Sequence, residues 1–259
     1  MSIPDLPVPG PGDSTAVVVG RNLPVPERAL AIGAHPDDIE FGAGGIVARE
    51  SQAGRPVHFA VCSRGEAGTN GTPGQRVKEA ARAARLLGAT LEFVDLDGDA
   101  RLELRAAHAL RLAGIIRNVR PALVLAPSLE QNQHPDHWRL GTLVRDACRL
   151  ARYGGLDDLK PAPHAIGQLL FYALGANAEP PGFPPILIDV SRAEVLSAWT
   201  TAMEAHASQL KTRNYVELQL ARARVHGLNA GVAHAQPLWP DGPVLLDSLD
   251  TLTRGARRF

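Results

Sequence analysis

The chain has 259 residues, 45% of them hydrophobic and 21% charged, and its basic and acidic side chains cancel to a formal net charge of zero. That is enough chain for one well-covered core, and the charge balance argues against a nucleic-acid surface or an anionic-membrane binder. No apolar run reaches the ~20 residues that span a bilayer, and residues 1–27 lack a secretory layout; with only Cys62 and Cys148 and no disulfide framework, a cytoplasmic setting is expected.

Residues 1–27 carry Pro4, Pro7, Pro9, Pro11, Pro24 and Pro26. Proline removes backbone donors and blocks helix, so this stretch is expected to be an extended arm, with Val17-Val18-Val19 able to add an edge strand. Residues 28–259 are read as one domain. Strands are predicted over Arg28–Ala34, Pro56–Cys62, Thr90–Leu96 and Pro121–Ala126. Between them, Gly42-Ala43-Gly44-Gly45 leads into a helix over Ile46–Gln52, and further helices are predicted over Gln75–Leu87, Leu104–Val119 and Pro135–Tyr153. Short strands alternating with longer helices are the mark of βαβ units, so the expected fold class is α/β, a Rossmann-like three-layer α/β/α with a mainly parallel sheet. Beyond Gly155 the pattern loosens. Strands are predicted over Gln168–Leu174 and Pro185–Val190, then a helix over Ser191–Lys211 with Ser191 and Glu194 as a capping box, then a helix over Tyr215–His226. The stretch Pro237–Phe259 is turn-rich and receives no element.

Two clusters carry the chemistry. Ala34-His35-Pro36-Asp37-Asp38-Ile39-Glu40 follows the first strand, and His134-Pro135-Asp136-His137 follows the fourth. In parallel sheets the exits of the strands are where active sites collect. Imidazole nitrogen and carboxylate oxygen are zinc ligands, and a catalytic zinc keeps three protein ligands and one open position. Adjacent side chains diverge, so one of Asp37 and Asp38 can bind metal while the other faces a water. His134 and His137 lie three residues apart, about one helical turn, so one can ligate while the other approaches a polarised carbonyl. Taken singly, Asp-Asp after a strand is usually a cap or turn and His-x-x-His is only moderately specific; together, at two strand exits, they point to a metal hydrolase.

The Ala-His-Pro-Asp-Asp-Ile-Glu segment, the Gly65-Glu66-Ala67-Gly68-Thr69-Asn70-Gly71-Thr72 loop and the His-Pro-Asp-His segment resemble the LmbE-like, or PIG-L-type, zinc de-N-acetylases along residues 28–153. The resemblance implies zinc (Zn2+) held by His35, Asp38 and His137, Asp37 as general base on the attacking water, His134 as oxyanion or leaving-group partner, and Asp136 orienting a histidine. It implies an amide hydrolase that removes acetyl from N-acetylglucosamine-type sugars, with a small amino-sugar substrate as its partner, no nucleic acid, no membrane, and homo-oligomers. Within the family, the Arg64–Thr72 loop, Leu96-Asp97-Gly98-Asp99 and Ala223-Arg224-x-x-Gly227 look most like the branch that deacetylates N-acetylglucosaminyl-malate in bacillithiol synthesis. The chain departs from that branch at Ala233-His234-Ala235-Gln236, where a tyrosine and a glutamate are expected in place of His234 and Gln236. Other acetylated amino sugars or glycosides are the runner-up substrates, and a non-catalytic sugar- or nucleotide-binding module is the rival class.

Weaker signals have plainer explanations beside them. Arg64 and Glu66 are candidate substrate-binding residues, Arg64 for a carboxylate or hydroxyl, with a loop-ordering ion pair as the even alternative. The glycines at 42–45 hint at dinucleotide binding, but Val47 stands where the third fingerprint glycine belongs. Asp95-Leu96-Asp97-Gly98-Asp99 misplaces the glycine of a calcium loop and is read as a solvated βα loop. Cys62 ends an apolar strand and is read as packing, and His58 and His108 as structural. His206 could approach the site from the late helix.

Overall fold

The apolar run Ala29–Gly33 forms β1, buried over its whole length. In the computed structural model, which describes residues 26–131, 134–246, 248 and 249, β1 lies between β2 (Val57–Val61) and β4 (Leu123–Pro127), with β3 (Ala89–Phe93) outside β2 and β5 (Gln168–Tyr172) outside β4. These five strands are parallel. The crossovers are α1 (Asp38–Gln52), α2 (Pro73–Leu86), α3 (Ala106–Val119) and α4 (Pro135–Ala151). The sheet separates two apolar clusters. One gathers α1, α2 and α5 (Ala193–Glu204) around Phe59, Tyr172 and Trp199, and the other gathers α3 and α4 around Leu30, Leu112 and Leu140. The expected three-layer α/β fold with a mainly parallel sheet is therefore present.

Two more strands finish the sheet, and only one of them runs antiparallel to the others. That strand, β7 (Ala235–Pro240), inserts between β5 and β6 (Ile186–Asp189), giving the order β3-β2-β1-β4-β5-β7-β6. The turn-rich stretch from Pro237 receives no element from the sequence, and proline is rare in an interior strand. The pairing explains the tolerance: β7 meets β5 only at Trp239 and Pro240, and its longer partnership is with β6. The suggested Val17–Val19 strand and residues 1–25 of the arm lie outside the described residues, as does the tail from 250 onward.

Two helix predictions are corrected. α1 starts at Asp38, so Gly42, Gly44 and Gly45 lie inside it. Their role is close packing: a Cβ at Gly42 would stand 2.2 Å from the Tyr172 ring and one at Gly44 would stand 2.5 Å from Trp199. The Ser191–Glu194 capping box does not form. Arg192 precedes α5 without a side-chain cap, Ser191 Oγ instead donates to the His234 carbonyl at 3.1 Å, and Glu194 pairs with Arg192. The long helix also stops at Glu204, and a 3-10 turn over Gln209–Lys211 leads to α6 (Tyr215–Asn229).

The departure at Gln236 has a structural account in its contacts with α1. Its Oε1 accepts from Ile46 N at 2.8 Å and its Nε2 donates to Gly42 O at 3.5 Å. Those two backbone groups are partners in an uninterrupted helix. An amide serves both at once; a carboxylate could serve only the N–H.

Candidate metal centre and active site

The turn from β1 into α1 is organised by Asp38. Its Oδ2 accepts from the backbone N–H of Ala34 at 2.8 Å and of His35 at 3.0 Å. Asp37, just before it, has φ 125°, a backbone region that costs a non-glycine residue about 1–3 kcal/mol. Contacts on both sides hold it there: Arg76 Nη2 donates to the Pro36 carbonyl at 3.1 Å, and Phe41 N donates to the Asp37 carbonyl at 3.0 Å. The second cluster opens α4, with His134 as its N-cap and Pro135 in the first turn.

The two clusters meet. His137 Nε2 lies 3.2 Å from Asp38 Oδ1 and 3.2 Å from His35 Nδ1, and His35 Nδ1 lies 3.6 Å from Asp38 Oδ2. A tetrahedral ion with bonds of 2.0–2.1 Å spaces its ligand atoms about 3.3 Å apart. The three donors are thus spread as a small divalent ion would need, on a nearly buried floor (His35 6% exposed, Asp38 2%). Two imidazole nitrogens 3.2 Å apart either share one N–H or turn both lone pairs to a common metal ion. His35, Asp38 and His137 can therefore hold a metal. Burial pushes the Asp38 carboxyl up, but the facing His137 and His35 outweigh it and hold it well below the usual carboxylate range.

The far side of His35 is also occupied. Its Nε2 stands 3.0 Å from Asp99 Oδ1 and 3.4 Å from Asp136 Oδ2. Carboxylates behind a ligating imidazole fix its orientation and raise its basicity. Asp136 in turn accepts from Ala100 N at 2.7 Å, and Asp99 accepts from Ala67 N at 3.2 Å. The histidine set against Asp136 is thus His35, while His134 Nδ1 lies 3.9 Å away and accepts from Asp136 N at 3.3 Å. With Nδ1 used as an acceptor, a neutral His134 carries its proton on Nε2. Burial, followed by the His35 charge, lowers the His134 imidazole below its usual range, which favours that neutral form.

Asp37 faces the same cavity without joining the triad. Burial and the Asp38 charge push its carboxyl up to about 6, with Arg76, 3.5 Å away, pulling against them. The cavity, about 590 Å³, is lined by these groups and, further out, by Phe41, Tyr215, Arg213 and Gln219. Arg64 and Glu66 are exposed and are not among its lining residues. Glu66 accepts from Arg64 N at 3.0 Å and from Asp99 N at 3.2 Å, so it braces the loop behind His35.

Two residues of the candidate site have little signal in the sequence. Asp99 was placed in a solvated loop, yet it is buried (7% exposed) against His35; its position just beyond a strand was the available signal. Arg76, in the first turns of α2, had only its place after the glycine-rich loop to mark it. His206 is fully buried with Nε2 3.2 Å from Glu40 Oε1, beside Phe41. His226 pairs with Glu179 at 2.9 Å, and His234 lies at the start of β7 through backbone bonds to Ser191 and Val190.

Comparison with known proteins gives the family and the fold. The profile of the PIG-L family, described as GlcNAc-PI de-N-acetylase, matches residues 30–148, from β1 through both ligand clusters. A crystal structure of a conserved protein from Thermus thermophilus is 34% identical, covers 85% of this chain and 97% of its own, and superposes with a TM-score of 0.77. The chain belongs to the PIG-L family. Among curated relatives, the 4-oxalmesaconate hydratase of Pseudomonas putida is 31% identical over 166 residues, which is 59% of this chain and 63% of the relative's length. The probable N-acetyl-alpha-D-glucosaminyl L-malate deacetylase 2 of Bacillus cereus is 29% identical over 205 residues, 70% of this chain and 83% of its own.

Proposed function

We propose that the protein is a zinc-dependent N-deacetylase acting on an N-acetylglucosaminide, with N-acetylglucosaminyl-malate as the leading substrate. The observation that carries the reading is the His35–Asp38–His137 triad with the Asp37 carboxylate beside it in one cavity. Two carboxylates with neighbouring positions and opposite shifts, Asp38 low and Asp37 raised to about 6, divide the work of ligand and base. Zinc is the default ion for such a set, and the malate conjugate is favoured by the glycine-rich loop and the Bacillus cereus relative.

When bound, zinc would polarise the acetamide carbonyl and make a water more acidic. Asp37 accepts a proton from the attacking water as its oxygen bonds to the carbonyl carbon. His134 donates from Nε2 to the carbonyl oxygen, where negative charge develops. The carbon–nitrogen bond then breaks, the leaving nitrogen takes the proton from Asp37, and the products are acetate and a free amine. Asp99 and Asp136 hold the His35 ring in register throughout.

The test is release of primary amine from N-acetylglucosaminyl-malate and from N-acetylglucosamine by zinc-loaded and chelator-treated protein. Metal-dependent release, higher on the conjugate, is the expected result. Absence of amine release on these and larger glycosides, or hydration of an unsaturated polycarboxylate in its place, would overturn the deacetylase reading.

A further inference from the structure

One wall of the cavity runs outward from the base to an uncommitted cation. Phe41 lies one turn beyond Asp37, bonded to its carbonyl, and the Phe41 ring centroid is 5.6 Å from that of Tyr215. Over the Tyr215 ring stands the Arg213 guanidinium, 5.7 Å from the centroid. Two arginines line the cavity, and their circumstances differ. Arg76 is buried and spends its donors on Pro36 O, Gly65 O and Asp37. Arg213 is exposed, and among the described residues the contact found for its guanidinium is the Tyr215 ring, not a carboxylate. A guanidinium backed by an aromatic face keeps its planar fork turned outward and is pre-organised to meet a carboxylate or phosphate through two parallel N–H bonds.

We propose that Arg213 is a specificity-determining residue: it selects, among the amino sugars this site takes, those whose far end carries a compact anion, a carboxylate or a phosphate. This rests on the deacetylase reading given above. The acetamide sits at the triad, the sugar lies along Phe41 and Tyr215, and the group attached beyond it reaches Arg213. A neutral substituent gains nothing there. The cavity volume is within the roughly 300–1,000 Å³ range of small-molecule sites, room for more than the acetylated sugar alone.

The experiment measures kcat/KM of zinc-loaded full-length protein on N-acetylglucosaminyl-malate, N-acetylglucosamine 1-phosphate and methyl N-acetylglucosaminide, in the native chain and in Arg213→Gln and Arg213→Lys. The expected result is a preference for one or both anionic substrates over the methyl glycoside that falls about three- to tenfold in Arg213→Gln, mainly through KM, and is partly restored in Arg213→Lys. Added salt should shrink the native preference and leave that of Arg213→Gln flat. The malyl and phosphate arms show which anion the site prefers. A preference unchanged by Arg213→Gln overturns the proposal. If no substrate releases amine, the deacetylase reading fails by itself, and calorimetric binding of glucosaminyl-malate to the same proteins decides: weaker binding to Arg213→Gln upholds the anion site, equal binding ends it.

Discussion

The Asp37 carboxylate and the Arg76 guanidinium face each other at 3.5 Å, both largely shielded from water. Burial and Asp38 drive the carboxyl up, and Arg76 restrains it. A general base works as the carboxylate, so activity rises as pH climbs through its pKa. In Arg76→Gln the restraint is gone, the pKa rises, and the acid limb of the kcat/KM profile should move to higher pH by about one unit. A lower rate with an unmoved limb would mean that Arg76 acts only as a brace for the Pro36 and Gly65 carbonyls.

Asp37→Asn separates base from ligand. The amide keeps the shape of the side chain and tolerates the positive φ, but it cannot take a proton from water. Turnover should fall about 100-fold or more while metal content, read by atomic absorption after dialysis, stays at the native level. Loss of the metal along with activity would show that Asp37 is itself a ligand.

His206 and Glu40 predict a pH-dependent share of stability. Burial lowers the His206 imidazole, but the Glu40 carboxylate, helped by Asp37 and Glu79, outweighs it and raises the folded-state value. A raised histidine stabilises the fold fully below its unfolded pKa of about 6.5, and the contribution fades as pH rises through the folded value. The gap in urea midpoint between the native chain and His206→Gln should therefore be wide at pH 6 and narrow toward pH 9. A gap of constant width would assign His206 to packing alone.

Gly42→Ala tests the packing of the helix that carries the site. The added Cβ would meet Tyr172 Cδ2 at 2.2 Å, and Tyr172 cannot swing aside freely because its hydroxyl donates to Ile32 O at 2.8 Å. Overpacking of this kind costs about 1–3 kcal/mol, measurable as a lower urea midpoint at unchanged m. Gly74→Ala is the control, since nothing stands within 4 Å of the added atom. It should leave stability unchanged or raise it.

The parts of this fold written in local pattern were the parts legible in the sequence. β1, β2 and β4 are apolar runs buried by their neighbours, and the ligand clusters at the exits of β1 and β4 announce themselves by residue type. What escaped was set by distant partners. The glycines of α1 look like a loop until Tyr172 and Trp199 are packed against them. Asp99 looks solvated until His35, more than sixty positions earlier in the chain, is seen against it. β7 looks like coil because its prolines are acceptable only beside the particular edges that β5 and β6 present.

The place of β7 also has a consequence for the order in which the molecule can be completed on a ribosome. The segment carrying Gln236 is translated nearly two hundred residues after α1, yet its side chain closes on Gly42 and Ile46 within that helix. β1 through β5 can pair as they emerge, while β6 waits for a neighbour that has not yet been made. Until Ala235–Pro240 leaves the exit tunnel, the nascent chain holds the candidate metal ligands of both clusters but lacks the strand that seals the helix beneath one of them. Chaperone contact with the half-built sheet would fall in that interval.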